Sequence, residues 1–174
     1  MTIESKLLEI AAYTLPALIT GGVAYVMMQK FYNSEDSKRK FELIRENQKL
    51  ALPIRLQAYE RMVLLLERIN PSQLLLRIAP TSTSKQDYAT LLAHQIQTEF
   101  EHNLTQQIYV TAETWNMILK AKNSTVQMIR KNAIREDIAD ANKLREAIMI
   151  ELTEVEAPSS IAISFIKEEL KNVL

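Results

Sequence analysis

Cysteine is absent from the 174-residue chain. Structural disulfides, thiolate metal sites and lipidation through a cysteine are excluded with it. Glycine is almost as scarce, with Gly21 and Gly22 the two present. A phosphate-binding loop or a dinucleotide fingerprint needs several glycines at a strand-to-helix turn, so neither can exist here. The histidines are two as well, His94 and His102. They lie close together on one expected helix, and a glycine-free body supplies poorly the oxyanion nest that a Ser-His-acid site needs. An excess of one charge sign is also missing: lysine plus arginine equals aspartate plus glutamate at 21 each. No whole-chain field draws in nucleic acid or acidic substrates, and neither is expected as a partner.

What the chain does have is leucine, isoleucine, alanine, glutamate, lysine and glutamine, the residues of a helical protein, and no convincing alternating run. The expected class is all-α. Its most conspicuous stretch is Ile10 to Met28, nineteen residues without a charged side chain, bounded by Glu9 and Lys30. At ~1.5 Å rise per residue it extends roughly 28 Å, close to the ~30 Å apolar thickness of a bilayer. A cleaved signal peptide wants a basic leader and a small-residue cleavage site, whereas MTIESKLLE is acidic on balance and the run ends in VMMQ. Pro16 is tolerable in a span, where neighbouring groups satisfy the freed carbonyl. The expectation is a single transmembrane helix over 10–28 within an anchor of 1–32, followed by a helical domain over 33–174. Lys30, Lys38, Arg39 and Lys40 flank the stretch on its C-terminal side, against Lys6 before it. That bias places the body in the cytoplasm and the N-terminus outside. Ala17 and Gly21 are spaced small-x-x-x-small, with Gly22 adjacent, a face on which a second helix backbone can approach.

Beyond the anchor, Phe41, Ile44, Leu52, Leu56, Tyr59, Val63 and Leu66 recur at helical spacing to about Ile69, with Pro53 predicting a kink or break near Lys49 to Leu52. Asn70-Pro71 reads as a cap and first turn of a short helix. After the loop APTSTS, Ser84 opens a third helix along Tyr88, Leu92, Ile96, Phe100 and Leu104 that should reach about Gln107. Thr111 caps a fourth helix carrying Trp115, Ile118, Leu119, Val126 and Ile129. Residues 132–137 read either as a turn or as continuing helix. Stripes over 141–155 and 161–173 follow, separated by Ala157-Pro158-Ser159. The sum is a bundle of about five helices. Tyr59 and Trp115 are expected in its core.

Glu99 and His102 form a Glu-x-x-His half-motif of the kind di-iron bundles use twice. No second copy accompanies it, so no metal and no other cofactor is expected, and the chain is read as a non-enzyme. Gln95, Glu99, His102 and Gln106 nevertheless fall on one line of a straight helix beside the apolar stripe, and polar groups there need partners. A helix-to-helix ion pair or hydrogen-bond network is expected there, with Arg55, among several arginines that could serve, as a candidate partner of Glu99.

Two stretches, LPIRLQAYERMVLLLERINPSQLLLR at 52–77 and EFEHNLTQQIYVTAETW at 99–115, together with the apolar segment, carry a resemblance to an uncharacterised family of small, singly anchored membrane proteins from Bacteroidota. The likeness reaches about residue 130. It implies a bacterial inner-membrane location and leaves the function open. The reading that results is a membrane-tethered helical interaction or scaffold module that contacts the lipid bilayer, other membrane proteins or copies of itself, with no small-molecule substrate. An accessory subunit of a transport, secretion or motility complex is the alternative; a metal-dependent enzyme using Glu99 and His102 is the remote one.

Overall fold

The computed structural model describes the backbone of residues 3–173, and all side chains within it except those of 4–11, 17, 33, 34, 36, 37, 172 and 173. Among the described residues the chain is helical, without a strand. The elements are α1 (Ile3–Ile69), α2 (Pro71–Arg77), α3 (Lys85–His102), a 3₁₀ helix (Leu104–Ile108), α4 (Ala112–Ala133), α5 (Ala141–Glu154) and α6 (Pro158–Val173). The chain divides into two compact units, Met1–Ala51 and Leu52–Leu174, so the residues of α1 fall partly in each.

In the first unit α1 has no second element beside it, and its large apolar side chains are exposed, among them Leu18, Val23, Met28, Phe31, Phe41 and Ile44. The stripe expected to run from Phe41 into the bundle core therefore starts later. Phe41 is 68% exposed, because helical periodicity buries a side chain only where another element lies against that face. Among the described residues no helix is long and apolar enough to cross a membrane. Ile10, Ala11 and Ala17 of the charge-free stretch lie outside the described side chains.

The second unit holds the core. From α1 it takes Ala58, Tyr59, Met62, Leu65, Leu66 and Ile69, all buried and spaced at three or four. Leu74 and Leu75 of α2 join them, as do Tyr88, Leu92, Ile96 and Phe100 of α3. The helix α4 supplies Ile118, Ala121 and Ile129, α5 Leu144 and Ile148, and α6 Ala162 and Ile166. By its packing, α4 is the central element, lying against α3, α5 and α6.

Local chemistry sets the boundaries. The Asn70 side chain accepts from the Ser72 amide at 3.1 Å with Pro71 in the first turn. Ser84 caps α3 through the Asp87 amide at 3.2 Å, Thr111 caps α4 through Thr114 at 3.1 Å, and Asp140 caps α5 through Lys143 at 2.9 Å. Each satisfies an amide that the first helical turn leaves without a partner. The helix α4 runs on through Ala133 and the turn follows it over 134–137; the Lys85 ammonium closes it by donating to the Arg135 and Ile138 carbonyls, both at 2.6 Å.

Two boundaries differ from expectation. The helix α3 stops at His102, five residues short of Gln107, because the Asn103 amide group folds back to the Glu99 carbonyl at 2.9 Å and the chain tightens into the 3₁₀ turn. The break foreseen near Lys49 to Leu52 is not present: α1 is continuous through Pro53. Lys49 and Pro53 are both exposed, so water can bond the carbonyl that the proline ring leaves unpaired.

Candidate functional site

Polar side chains of the second unit converge on two carboxylates. The first is Glu99 on α3, buried at 9% exposure. Its Oε1 lies 2.6 Å from Arg68 Nη2 and 3.6 Å from Arg77 Nη2. Arg68 occupies the last turn of α1 and Arg77 the last turn of α2, where a cation also meets the negative end of a helix. Arg77 additionally donates to the Arg68 carbonyl at 3.2 Å. The ion pair between helices expected at Glu99 is thus present, but its arginines are 68 and 77.

Arg55 lies elsewhere, donating to the Tyr109 carbonyl at 3.4 Å. Gln95 and Gln106 are half-buried, and His102 is exposed. The line that joined these residues assumed a straight helix to Gln107, and the end of α3 at His102 takes Gln106 off it. A carboxylate held by two guanidinium groups has its charge already answered. Among the described residues no group of three or more metal-ligating side chains comes together.

The second carboxylate, Glu169 of α6, was not distinguishable in the sequence. It accepts from the Tyr59 hydroxyl of α1 and the Thr114 hydroxyl of α4, and from the Thr111 hydroxyl at 3.0 Å to each oxygen. Thr111 serves twice, since the same oxygen caps α4. Burial pushes the Glu169 pKa upward, but the hydrogen bonds from Thr114, Tyr59 and Thr111 and the positive charge of Arg55 outweigh it, and the net displacement is downward. Burial, together with the hydrogen bond and charge of Glu169, pushes the Tyr59 phenol upward. A carboxylate so well supplied with donors is a weak base. Its evident effect is to tie α1, α4 and α6 together.

The remaining concavities lie between helices. One of about 570 Å³ separates the end of α4 from α5, and two ion pairs line it, Arg135 with Asp137 at 2.6 Å and Lys143 with Glu146 at 2.7 Å. Another, of about 840 Å³, follows the antiparallel pair α3 and α4.

In the first unit, a Cβ added at Gly21 or Gly22 would meet nothing within 4 Å, so the small-residue face there is open. Ala17 lies outside the described side chains. Lys30, Lys38, Arg39 and Lys40 are exposed.

No curated protein and no solved structure matches the chain. A family model does, over residues 5–173, which includes the C-terminal third that the earlier resemblance did not reach. The chain belongs to that family, described as a family of unknown function (DUF7935).

Proposed function

We propose that the chain is a membrane-tethered helical module that acts through protein–protein contacts at the cytoplasmic face of a bacterial inner membrane, with residues 10–28 as the tether. One observation carries the reading. Those nineteen residues hold no charge, and their large apolar side chains that are described, including Leu15, Leu18, Ile19, Val23 and Met28, are exposed. Each large apolar side chain left in water forgoes about 1.5–3 kcal/mol of burial, and a bilayer would recover it. The Thr20 hydroxyl donates to the Pro16 carbonyl at 2.7 Å, so its own polarity does not oppose an apolar solvent. The basic residues from Lys30 to Lys40 support a cytoplasmic body, and the resemblance to Bacteroidota membrane proteins supports the bacterial setting. Open space at Gly21 and Gly22 supports pairing of two copies through that face.

Because the natural chain has no cysteine, single cysteines report topology cleanly. Alkaline carbonate should leave the protein in the membrane pellet. In spheroplasts an impermeant maleimide should label Ser5→Cys directly and Thr81→Cys after lysis alone. Release of the wild-type protein by carbonate would refute the tether, and labelling of Thr81→Cys without lysis would refute the orientation.

A further inference from the structure

We infer that the groove along α3 and α4 is a docking site for an acidic amphipathic helix of a partner protein. The inference rests on reading the chain as an interaction module and names where the contact is made and what makes it. Ala89 and Ala93 of α3 line the groove together with Val126 of α4 and Ile134, the residue that follows α4. The alanines keep the α3 wall low, while Ile134 is 79% exposed at one end. From Ala89 to Gln97 the α3 wall is about 12 Å long, and from Lys122 to Ile134 the α4 wall is about 18 Å, the length of two to three helical turns. An apolar floor of that length between two helices suits a third helix inserted at i, i+3 and i+4 positions.

The charge of the walls selects the occupant. No acidic side chain lines the groove, whereas Lys122, Arg130 and Lys131 do. Lys122 is held 4.4 Å above the Phe100 ring, a contact that leaves its positive charge unneutralised. Lys131 is already paired with Glu151 at 4.0 Å, so the positive charge of the groove rests on Lys122 and Arg130. The chain as a whole is neutral, so an acid-free wall is a local feature and complements glutamates and aspartates flanking an apolar stripe. A second copy docking groove to groove would bring these cations against their own counterparts, which disfavours a symmetric pair.

The test uses full-length protein in phosphatidylcholine nanodiscs, titrated with two fluorescent helical peptides of about three turns. Both carry the same leucine face; one is flanked by glutamates, the other by lysines. Fluorescence anisotropy should show the acidic peptide binding about tenfold more tightly than the basic one. The double variant Lys122→Glu, Arg130→Glu should reverse that order, and Ala93→Leu, which fills the floor, should weaken both peptides. Circular dichroism confirms that each variant is folded; if Ala93→Leu is not, the surface charge variant alone decides. Equal binding of the two peptides, or an order unchanged by charge reversal, would overturn the inference. So would variants that leave peptide binding intact and instead abolish self-association or adsorption to phosphatidylglycerol vesicles, pointing to a second copy or a lipid surface as the occupant. Protein that stays outside the nanodisc would refute the tether, and the same titration in solution would still decide the groove.

Discussion

Replacing Glu169 by glutamine removes the charge on which three hydroxyls converge while keeping the shape of the side chain. In the native protein Tyr59, Thr111 and Thr114 all donate to it. Hydrogen bonds to an ionised acceptor contribute about 1.5–3 kcal/mol each when buried. The glutamine retains one acceptor oxygen, the threonine hydroxyls can turn to accept from its amide, and the site is partly open to water. The expected net loss is therefore about 1–3 kcal/mol rather than the sum. For a domain of this size a 2 kcal/mol loss lowers the melting temperature by roughly 6–10 °C.

The pH dependence distinguishes loss of charge from loss of packing. Because the folded carboxyl has its pKa held below the ordinary value, its contribution is fully present above that value and is lost as pH falls through the folded one. Urea unfolding followed by circular dichroism at pH 7 and at intervals down to pH 3 should show wild type and Glu169→Gln converging as the solution acidifies. A gap that stays constant across that range, or a variant within about 0.5 kcal/mol of wild type at pH 7, would refute the assignment of Glu169 as an ionised tie.

Two further substitutions test other parts of the interior. The Thr125 hydroxyl is buried without a hydrogen-bond partner, so Thr125→Val, which keeps the branched shape, should raise stability by about 1 kcal/mol in thermal melts. Arg68→Met should cost about 1–2 kcal/mol because it withdraws the nearer cation from a buried carboxylate, discounted because Arg77 remains and Arg68 is half exposed; combined with Glu99→Gln, double-mutant denaturation should give a coupling energy that Arg55→Met combined with Glu99→Gln does not.

Short-range chemistry was legible in the sequence and long-range pairing was not. Asn70, Ser84 and Thr111 declare helix starts because a cap acts within three residues of itself, and the structure has α2, α3 and α4 beginning there. The stripe Tyr88, Leu92, Ile96 and Phe100 is buried as its spacing implied. Asn103 was harder to read, since its side chain turns back to the Glu99 carbonyl where the helix ends, a choice that periodicity does not record. Phe41 and Ile44 continue the phase of the buried stripe, yet phase says nothing about whether a neighbour arrives. For the same reason Glu99 could be recognised as needing a cation without revealing which of 21 basic residues supplied it. The location of Arg68 and Arg77 in final helical turns was the one available clue. Glu169 gave none: it is one acid in Lys167-Glu168-Glu169, and its partners are 55 to 110 positions away.

That separation bears on how the protein is made. A ribosome delivers α1 through α5 before the helix that carries Glu169, so α4, which α6 covers in the finished fold, must wait with that flank bare. During those seconds of synthesis the nascent polypeptide offers a sticky flank to anything nearby, and a chaperone at the tunnel mouth would shield it until the sixth helix emerges.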